Sequence, residues 1–395
     1  MGSLPVLGAT PRISSLLIKP ASAVCNLDCE YCFYLDRDAD PYKALPGRRM
    51  TEEVLERLVD QFLFYSYPAS VFAWQGGEPT LAGLPFFQRA VELQQRYGRD
   101  GQVVSNALQT NAMLINPDWC ALFRQYNFLL GVSLDGPEDV HDFYRFNKSR
   151  QGTWRRVMQS VETLREQKVD FNILCVVSKA NVGQPRRLYE WFRAQGFDFI
   201  QYIPLAEFDA QGNPLPFTLT PEEYGKFLVE TFECWWPDRR KMHIRFFDNI
   251  VEALVGEKPG NCTMHSTCDS YVVVEYNGDV YPCDFFVEKS WRLGNVMADS
   301  FPEIARRNKR GEFAATKTIP HEECLKCEFE FVCHGGCPKL RHGPHGRFSD
   351  LDWFCGSYKM IYGHAVPKLR READRIRKEL AEAAAGHAYS VGPTG

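Results

Sequence analysis

Eight residues near the start of the chain, Cys25-Asn26-Leu27-Asp28-Cys29-Glu30-Tyr31-Cys32, set three thiols at C-x3-C-x2-C spacing directly after an apolar run from Ser14 to Ile18. Three thiols on one loop can hold three corners of an iron-sulfur cube, which normally takes four thiolates. One iron then lacks a protein ligand. An open coordination site marks a metal centre that does chemistry, because closed all-protein sites serve structure or electron transfer. Two other readings fit the same thiols: part of a zinc site completed elsewhere, or small buried hydrophobes.

Eight more cysteines fall in the last third, Cys262-x5-Cys268-x14-Cys283 and then Cys324-x2-Cys327-x5-Cys333-x3-Cys337-x17-Cys355. Between Cys268 and Cys283, the run Tyr271 to Tyr276 and the run Asp279 to Tyr281 flank Asn277-Gly278, a dipeptide that favours a type I′ hairpin turn. Such a hairpin would hold Cys268 and Cys283 close together. Eight thiols make two complete sets of four, which suits two structural zincs or two closed iron-sulfur clusters, and spacing does not separate these. The remaining Cys120, Cys175 and Cys234 lie inside apolar-periodic segments and read as core.

The elements that must position these thiols alternate along the chain. Thr51-Glu52-Glu53 opens a helix that reaches Tyr67, and Ser70 to Trp74 reads as a buried strand. Helices follow at Leu84 to Tyr97, Pro117 to Tyr126, Thr153 (as cap) to about Val169, and Pro185 to Gln195. Strands fall between them at Val103 to Gln109, Phe128 to Leu134, Phe171 to Val177 and Phe199 to Pro204. With the first run this makes six strands in β/α alternation, the pattern of a parallel sheet. Active sites of such sheets lie at the carboxyl ends of the strands. The segments in that position are the opening octet, Gln75-Gly76-Gly77-Glu78-Pro79, Thr110-Asn111, Ser133-Leu134-Asp135-Gly136 and Leu205. A loop from Ala206 to Pro221 leads to a helix capped by Thr220, and an apolar stretch from Ile244 to Val255 precedes the Cys-rich third.

The octet, with Tyr31 before its third Cys and Phe33-Tyr34 after it, resembles the radical S-adenosylmethionine (SAM) enzymes, whose signature is C-x3-C-x-aromatic-C. The later cysteines, with Cys333-His334-Gly335-Gly336-Cys337, resemble the SPASM extension of members that modify peptides and proteins. Within that class the chain is most similar to the anaerobic sulfatase-maturating enzymes, through Cys32-Phe33-Tyr34, Gln75 to Thr80 and Tyr281-Pro282-Cys283-Asp284. The resemblance covers Ile13 to about Tyr362. It implies a partial (β/α)6 barrel over residues 1–240, a connector at 241–260 and a SPASM domain with its hairpin at 261–365; beyond it, the Lys/Arg/Glu-rich stretch from Pro367 to Ala383 reads as a solvated helix in a charged tail at 366–395.

It further implies three 4Fe-4S clusters: one on Cys25, Cys29 and Cys32, one on Cys262, Cys268, Cys283 and Cys337, and one on Cys324, Cys327, Cys333 and Cys355. S-adenosylmethionine would be bound by Tyr31, Gly77, Ser133, Arg145 and Leu205, with Arg145 on its carboxylate unless it forms only a surface salt bridge. Tyr34 and Gln75 would meet the substrate. Asp284 would be the catalytic base, its alternative being a carboxylate that accepts hydrogen bonds in a turn. The implied reaction oxidises a sulfatase Cys or Ser to Cα-formylglycine. A 5′-deoxyadenosyl radical takes hydrogen from Cβ, an electron passes to the auxiliary clusters, and the thioaldehyde is hydrolysed. The implied partners are an unfolded or nascent sulfatase carrying Cys/Ser-x-Pro/Ala-x-Arg and a flavodoxin- or ferredoxin-type electron donor.

Composition agrees with an ordinary globular protein: 395 residues, 45% of them apolar. A net charge of −4 gives no concentrated positive field for nucleic acid. The apolar run at Leu16 to Ile18 is far short of a membrane span, which makes a cytoplasmic protein the expectation. In that reducing compartment, fourteen cysteines argue for ligation over disulfides. Two other classes fit less of the pattern: a thioether-forming or epimerising SPASM enzyme, and a non-enzymatic zinc-binding interaction protein.

Overall fold

The structure, a computed structural model, describes residues 13–34 and 40–390, without the side chains of residues 310 and 383–390. In chain order its first elements are β1 (Ser15–Lys19), α1 (Glu52–Ser66), β2 (Ala69–Trp74), α2 (Leu84–Tyr97), β3 (Val103–Thr110), α3 (Pro117–Gln125), β4 (Leu129–Ser133), α4 (Glu138–Tyr144) and α5 (Trp154–Glu166). Next come β5 (Phe171–Val177), α6 (Pro185–Ala194), β6 (Phe199–Pro204), α7 (Pro221–Trp235), β7 (His243–Ile244) and α8 (Arg245–Val255). The Cys-rich third adds β8 (Tyr271–Glu275), β9 (Asp279–Tyr281), β10 (Gly294–Asn295), α9 (Phe301–Arg310), α10 (Glu312–Thr318), α11 (Glu322–Leu325), α12 (Glu330–Cys333), α13 (Pro338–His345) and α14 (Cys355–Ser390).

Contacts divide the chain into two compact units. The first holds residues up to Leu174 together with Thr267–Thr318, and the second holds Cys175–Ser266 together with residues from Ile319 onward.

The first unit is a sheet in the order β10-β9-β8-β1-β2-β3-β4-β5. From β1 to β5 every pairing is parallel, and β1 also takes β8 as a parallel neighbour, with Lys19 in register with Glu275. The carboxyl ends of β1 to β4 therefore share one edge, which gathers the opening octet, Gln75 to Glu78, Asn111 and Asp135 there. Alternation in β2 sends Phe72 and Trp74 inward, where Trp74 meets Phe87 edge-on and Phe72 packs on Phe62 of α1. Burial of each such ring contributes about 1.5 to 3 kcal/mol. Thr51 starts α1 as its pattern predicts, its hydroxyl accepting from the Val54 N–H at 3.3 Å.

The second unit contains β6 and β7, parallel neighbours with Phe199 in register with His243. Its core is aromatic, Phe232 and Trp235 of α7 packing on Phe247 of α8.

Four local features depart from the sequence reading. The hairpin β8-β9 forms, but Gly278 alone takes positive φ, +86°, and its N–H donates to the Glu275 carbonyl at 2.9 Å. The turn is thus the three-residue kind that ends on a left-handed glycine, not type I′, which needs positive φ at Asn277 as well. Thr153 precedes α5 without capping it. Its hydroxyl donates to the Arg145 carbonyl at 3.1 Å, and Asp142 Oδ1 takes the Thr153 and Trp154 N–H groups at 2.8 and 2.9 Å instead. The C-terminal helix begins at Cys355 and buries Leu369 and Ala373 beyond Pro367, so it is more than a solvated tail. Finally, Cys120 and Cys175 are buried as expected, whereas Cys234 is half-buried.

Candidate active site

The octet loop leaves β1 and folds back against the segment after β2. The Gly77 N–H donates to the Ser22 carbonyl and the Glu78 N–H to the Val24 carbonyl, both at 2.8 Å. This approach needs the glycine pair. A Cβ on Gly76 would lie 2.5 Å from the Ser22 oxygen, and one on Gly77 would lie 2.3 Å from the Val24 oxygen.

Glu78, fully buried, pins the next strand end. Its carboxylate accepts from the Thr80 N–H (3.0 Å), the Thr80 hydroxyl (2.6 Å), the Thr110 hydroxyl (2.9 Å) and the Asn111 N–H (2.7 Å). Burial raises this carboxyl above its ordinary range, and those bonds oppose the shift. Asn111 is thereby held so that its amide donates to Asn26 Oδ1 at 2.8 Å and to Cys25 Sγ at 3.6 Å. The Leu27 N–H also points at Cys25 Sγ, at 3.4 Å. Burial pushes the thiols up, Cys25 to about 11 and Cys29 to about 12.

Beside the loop lies a closed polar cluster. Tyr31 donates to Asp135 Oδ2 at 2.5 Å, and Arg145 grips the same carboxylate with Nε at 2.8 Å and Nη2 at 3.1 Å. All three are buried, which removes the surface-salt-bridge alternative for Arg145. Burial by itself would raise the Asp135 carboxyl, but the Arg145 charge and its hydrogen bonds hold it below the usual range. His141 completes the cluster. Its Nδ1 accepts from the Asp135 N–H at 3.3 Å and its Nε2 lies 3.1 Å from the Thr153 hydroxyl, which fixes the Nε2–H tautomer. Burial, then the nearby Arg145 charge, lowers its pKa to about 3.

Asp284 sits just after Cys283, 4% exposed. Tyr34 donates to its Oδ2, Gln75 Nε2 donates to the same oxygen at 3.4 Å, and Lys19 Nζ lies 3.3 Å from Oδ1. The structure thus brings Tyr34, Gln75 and Asp284 together from three remote positions. These contacts are between side chains, unlike those of a turn-capping carboxylate. Lys19, Asp135 and His141 had no role in the sequence reading. An Asp at a strand end was the only available signal.

Ser133 ends β4 half-buried. Leu205 belongs to the second unit, where its N–H donates to the Val177 carbonyl at 3.0 Å. Cys268 and Cys283 are in the first unit, with Cys283 Sγ 3.7 Å from the Tyr271 hydroxyl. Cys262 and Cys337 are in the second.

The other four cysteines, Cys324, Cys327, Cys333 and Cys355, line one pocket in the second unit, along with Asp352, Tyr358 and Tyr362. Among the described residues no three Cys, His, Asp or Glu side chains are grouped so as to hold a single metal ion. Burial pushes the Cys333 thiol up to about 12. The loop between Cys333 and Cys337 turns through left-handed His334, Gly335 and Gly336. Arg341 Nε donates to the Gly335 carbonyl at 2.7 Å, and the Cys337 N–H donates to Asp352 Oδ2 at 2.8 Å.

Comparison with known proteins agrees with this geometry. Residues 20–192 match the Radical SAM superfamily and residues 262–328 match SPASM, an iron-sulfur cluster-binding domain. The chain is 38% identical over 370 residues to the cysteine-type anaerobic sulfatase-maturating enzyme of Clostridium perfringens, covering 92% of this chain and 99% of that one. The chain belongs to the anaerobic sulfatase-maturating enzymes. A serine-type member from Bacteroides thetaiotaomicron is 35% identical over 388 residues, 92% of this chain and 91% of that one. The solved structure of native anSMEcpe with bound AdoMet and Cp18Cys peptide superposes with a TM-score of 0.85 at 38% identity, covering 92% of this chain and 99% of that chain.

The sulfatase-maturating chain described here is accordingly a radical SAM oxidoreductase that acts on sulfatases, with iron-sulfur clusters and S-adenosylmethionine as its cofactors. Its fold is α/β, a parallel β/α sheet followed by a Cys-rich SPASM region with a strand hairpin. Among the described residues, no helix is long and apolar enough to cross a membrane.

Proposed function

We propose that this enzyme converts a Cys or Ser in a Cys/Ser-x-Pro/Ala-x-Arg segment of an unfolded or nascent sulfatase to Cα-formylglycine, with Asp284 as the base. The observation that carries the reading is the convergence of Tyr34, Gln75 and Lys19 on the Asp284 carboxylate, one residue from Cys283. A general base must lie within hydrogen-bond reach of the proton it takes. The Gln75 contact, at 3.4 Å, is long for a hydrogen bond and is the one a substrate thiol or hydroxyl would replace.

The donor sets fit the implied groups. Cys25, Cys29 and Cys32 offer three thiols on one loop with hydrogen bonds already aimed at Cys25 Sγ, and Cys324, Cys327, Cys333 and Cys355 surround one pocket. Cys262, Cys268, Cys283 and Cys337 are the third set, on the family pattern alone. When bound, S-adenosylmethionine and the first cluster would supply radical removal of hydrogen from Cβ of the target, and the two closed clusters would supply an electron acceptor.

The chain's own residues do the rest. Asp284 takes the thiol or hydroxyl proton at Oδ2, and Tyr34 steadies that oxygen. On the family pattern, Gly77 would meet the cofactor's amino group and Tyr31 its adenine, with Ser133 and Leu205 as further contacts. Arg145 has Nε and Nη2 committed to Asp135. Its Nη1 has no hydrogen-bond partner among the described residues and is the nitrogen that would meet the cofactor carboxylate. The reducing compartment this chemistry requires is the cytoplasm, and a flavodoxin- or ferredoxin-type protein would supply the first electron.

The test is anaerobic incubation with S-adenosylmethionine, a reductant and a Cys-x-Pro-x-Arg peptide, read by mass and aldehyde labelling. Conversion of the Cys CH2SH group to an aldehyde, with sulfur replaced by oxygen and two hydrogens lost, on protein with about twelve irons, is the expected result. A thioether or epimer product, or a colourless zinc protein, would contradict the proposal.

A further inference from the structure

A lysine is almost never fully buried unless it is paired, and Lys19, the last residue of β1, is 2% exposed. Its Nζ lies 2.7 Å from Oε1 of the fully buried Glu275, its register partner on β8, and 3.3 Å from Oδ1 of Asp284. Both contacts are ion pairs by distance, and neither is aligned as a hydrogen bond. The ammonium is flanked by an aromatic ring as well, with the centre of the Tyr34 ring 4.6 Å from Nζ.

The two oxygens of Asp284 are thus sorted. Lys19 faces Oδ1, while Tyr34 and Gln75 both address Oδ2.

We propose that Lys19, clamped by Glu275, is a positioning residue that fixes the Asp284 carboxylate by Oδ1 and so presents Oδ2 to the substrate. The proposal rests on the reading of Asp284 as the base. An ammonium on a four-carbon stem is a single-point anchor. It orients a carboxylate without closing both of its oxygens, as a guanidinium fork would. Glu275 adds the constraint the lysine lacks, and it comes from the SPASM hairpin. Pairing of β8 with β1 therefore builds the support of the base as well as extending the sheet.

Lys19→Met would leave Glu275 buried without its cation and could fail to fold. Lys19→Met/Glu275→Gln removes both charges and keeps the volume, so it is the decisive variant. Formylglycine and 5′-deoxyadenosine are measured in the same reactions on cluster-loaded protein of known iron content, alongside the peptide KM and the urea unfolding midpoint. The expected result is a ratio of formylglycine to 5′-deoxyadenosine that falls by up to about a hundredfold, the scale for misplacing a reacting group by about an ångström. Iron content and peptide KM should hold.

A merely structural ion pair would not move that ratio. A wild-type ratio in the double variant, or loss of both products in equal proportion, would overturn the proposal. Asp284→Asn run beside it separates the two readings. Uncoupling in Asp284→Asn but not in the double variant sinks only the role of Lys19, whereas wild-type formylglycine in Asp284→Asn sinks the base assignment and this inference with it.

Discussion

Asp135 and Asp284 are both buried carboxylates that follow a strand of the first unit, but their partners leave them different freedom. Arg145 takes both oxygens of Asp135 in a fork, Tyr31 adds a third bond, and the neutral His141 accepts from the Asp135 N–H. A guanidinium does not give up its proton in proteins, and two parallel bonds leave no oxygen to spare. Asp284 instead meets, among its contacts, an ammonium at 3.3 Å, a phenol and a long amide contact. Two acids with similar burial are thus divided by the shape of their cations. The locked one braces Tyr31 of the three-cysteine loop, and the other keeps looser partners.

The same substitution at both positions is the strongest way to break this contrast. Asp135→Asn strands the Arg145 guanidinium in the interior and should cost about 3 to 5 kcal/mol of stability, the range for removing one partner of a buried pair. Asp284→Asn leaves Lys19 with Glu275 and should cost about 1 kcal/mol. Urea unfolding of both variants under anaerobic conditions makes the comparison, and equal losses would erase the distinction.

Arg145→Lys sharpens it at intermediate size, since lysine keeps the charge but loses the fork. S-adenosylmethionine should then bind more weakly by about 1.5 to 3 kcal/mol, the range for hydrogen bonds to a charged group. Unchanged affinity in a direct binding titration would confine Arg145 to its lock on Asp135.

A pH-dependent effect belongs to His141. Its pKa falls from an ordinary value of about 6.5 to about 3 in the folded chain. Between those values the unfolded chain binds a proton that the folded chain does not. Stability should therefore be complete above about pH 6.5 and decline as pH falls, by about 1.4 kcal/mol per unit from this residue. His141→Gln should flatten that part of the urea-midpoint profile. An unchanged slope would mean that His141 takes up its proton without leaving the cluster.

How much of this was legible in the sequence follows from the distance over which each feature is encoded. The β/α alternation is local, and the limits of β5 and β6 coincide with their apolar runs. The glycine pair at Gly76-Gly77 was visible as a strand-end turn. Its physical reason, close approach to Ser22 and Val24, appears only when the octet loop is folded against it. The short α4, which lacks a side-chain cap, gave no start signal. The pairing of β8 with β1 was not legible, because nothing in either strand names so remote a partner. For the same reason Tyr34, Gln75 and Asp284 could be named one by one but not joined, and Lys19, just beyond the apolar run that ends at Ile18, carried no signal.

The central claim is that Asp284 accepts the proton released as the target residue is oxidised. It is tested most directly by Asp284→Asn protein with wild-type iron content, assayed for formylglycine and 5′-deoxyadenosine in one reaction. Asparagine keeps the size and much of the hydrogen bonding but cannot serve as the base. The account predicts that 5′-deoxyadenosine still forms while formylglycine falls by about a hundredfold to ten-thousandfold. Formylglycine at close to the wild-type rate would contradict it.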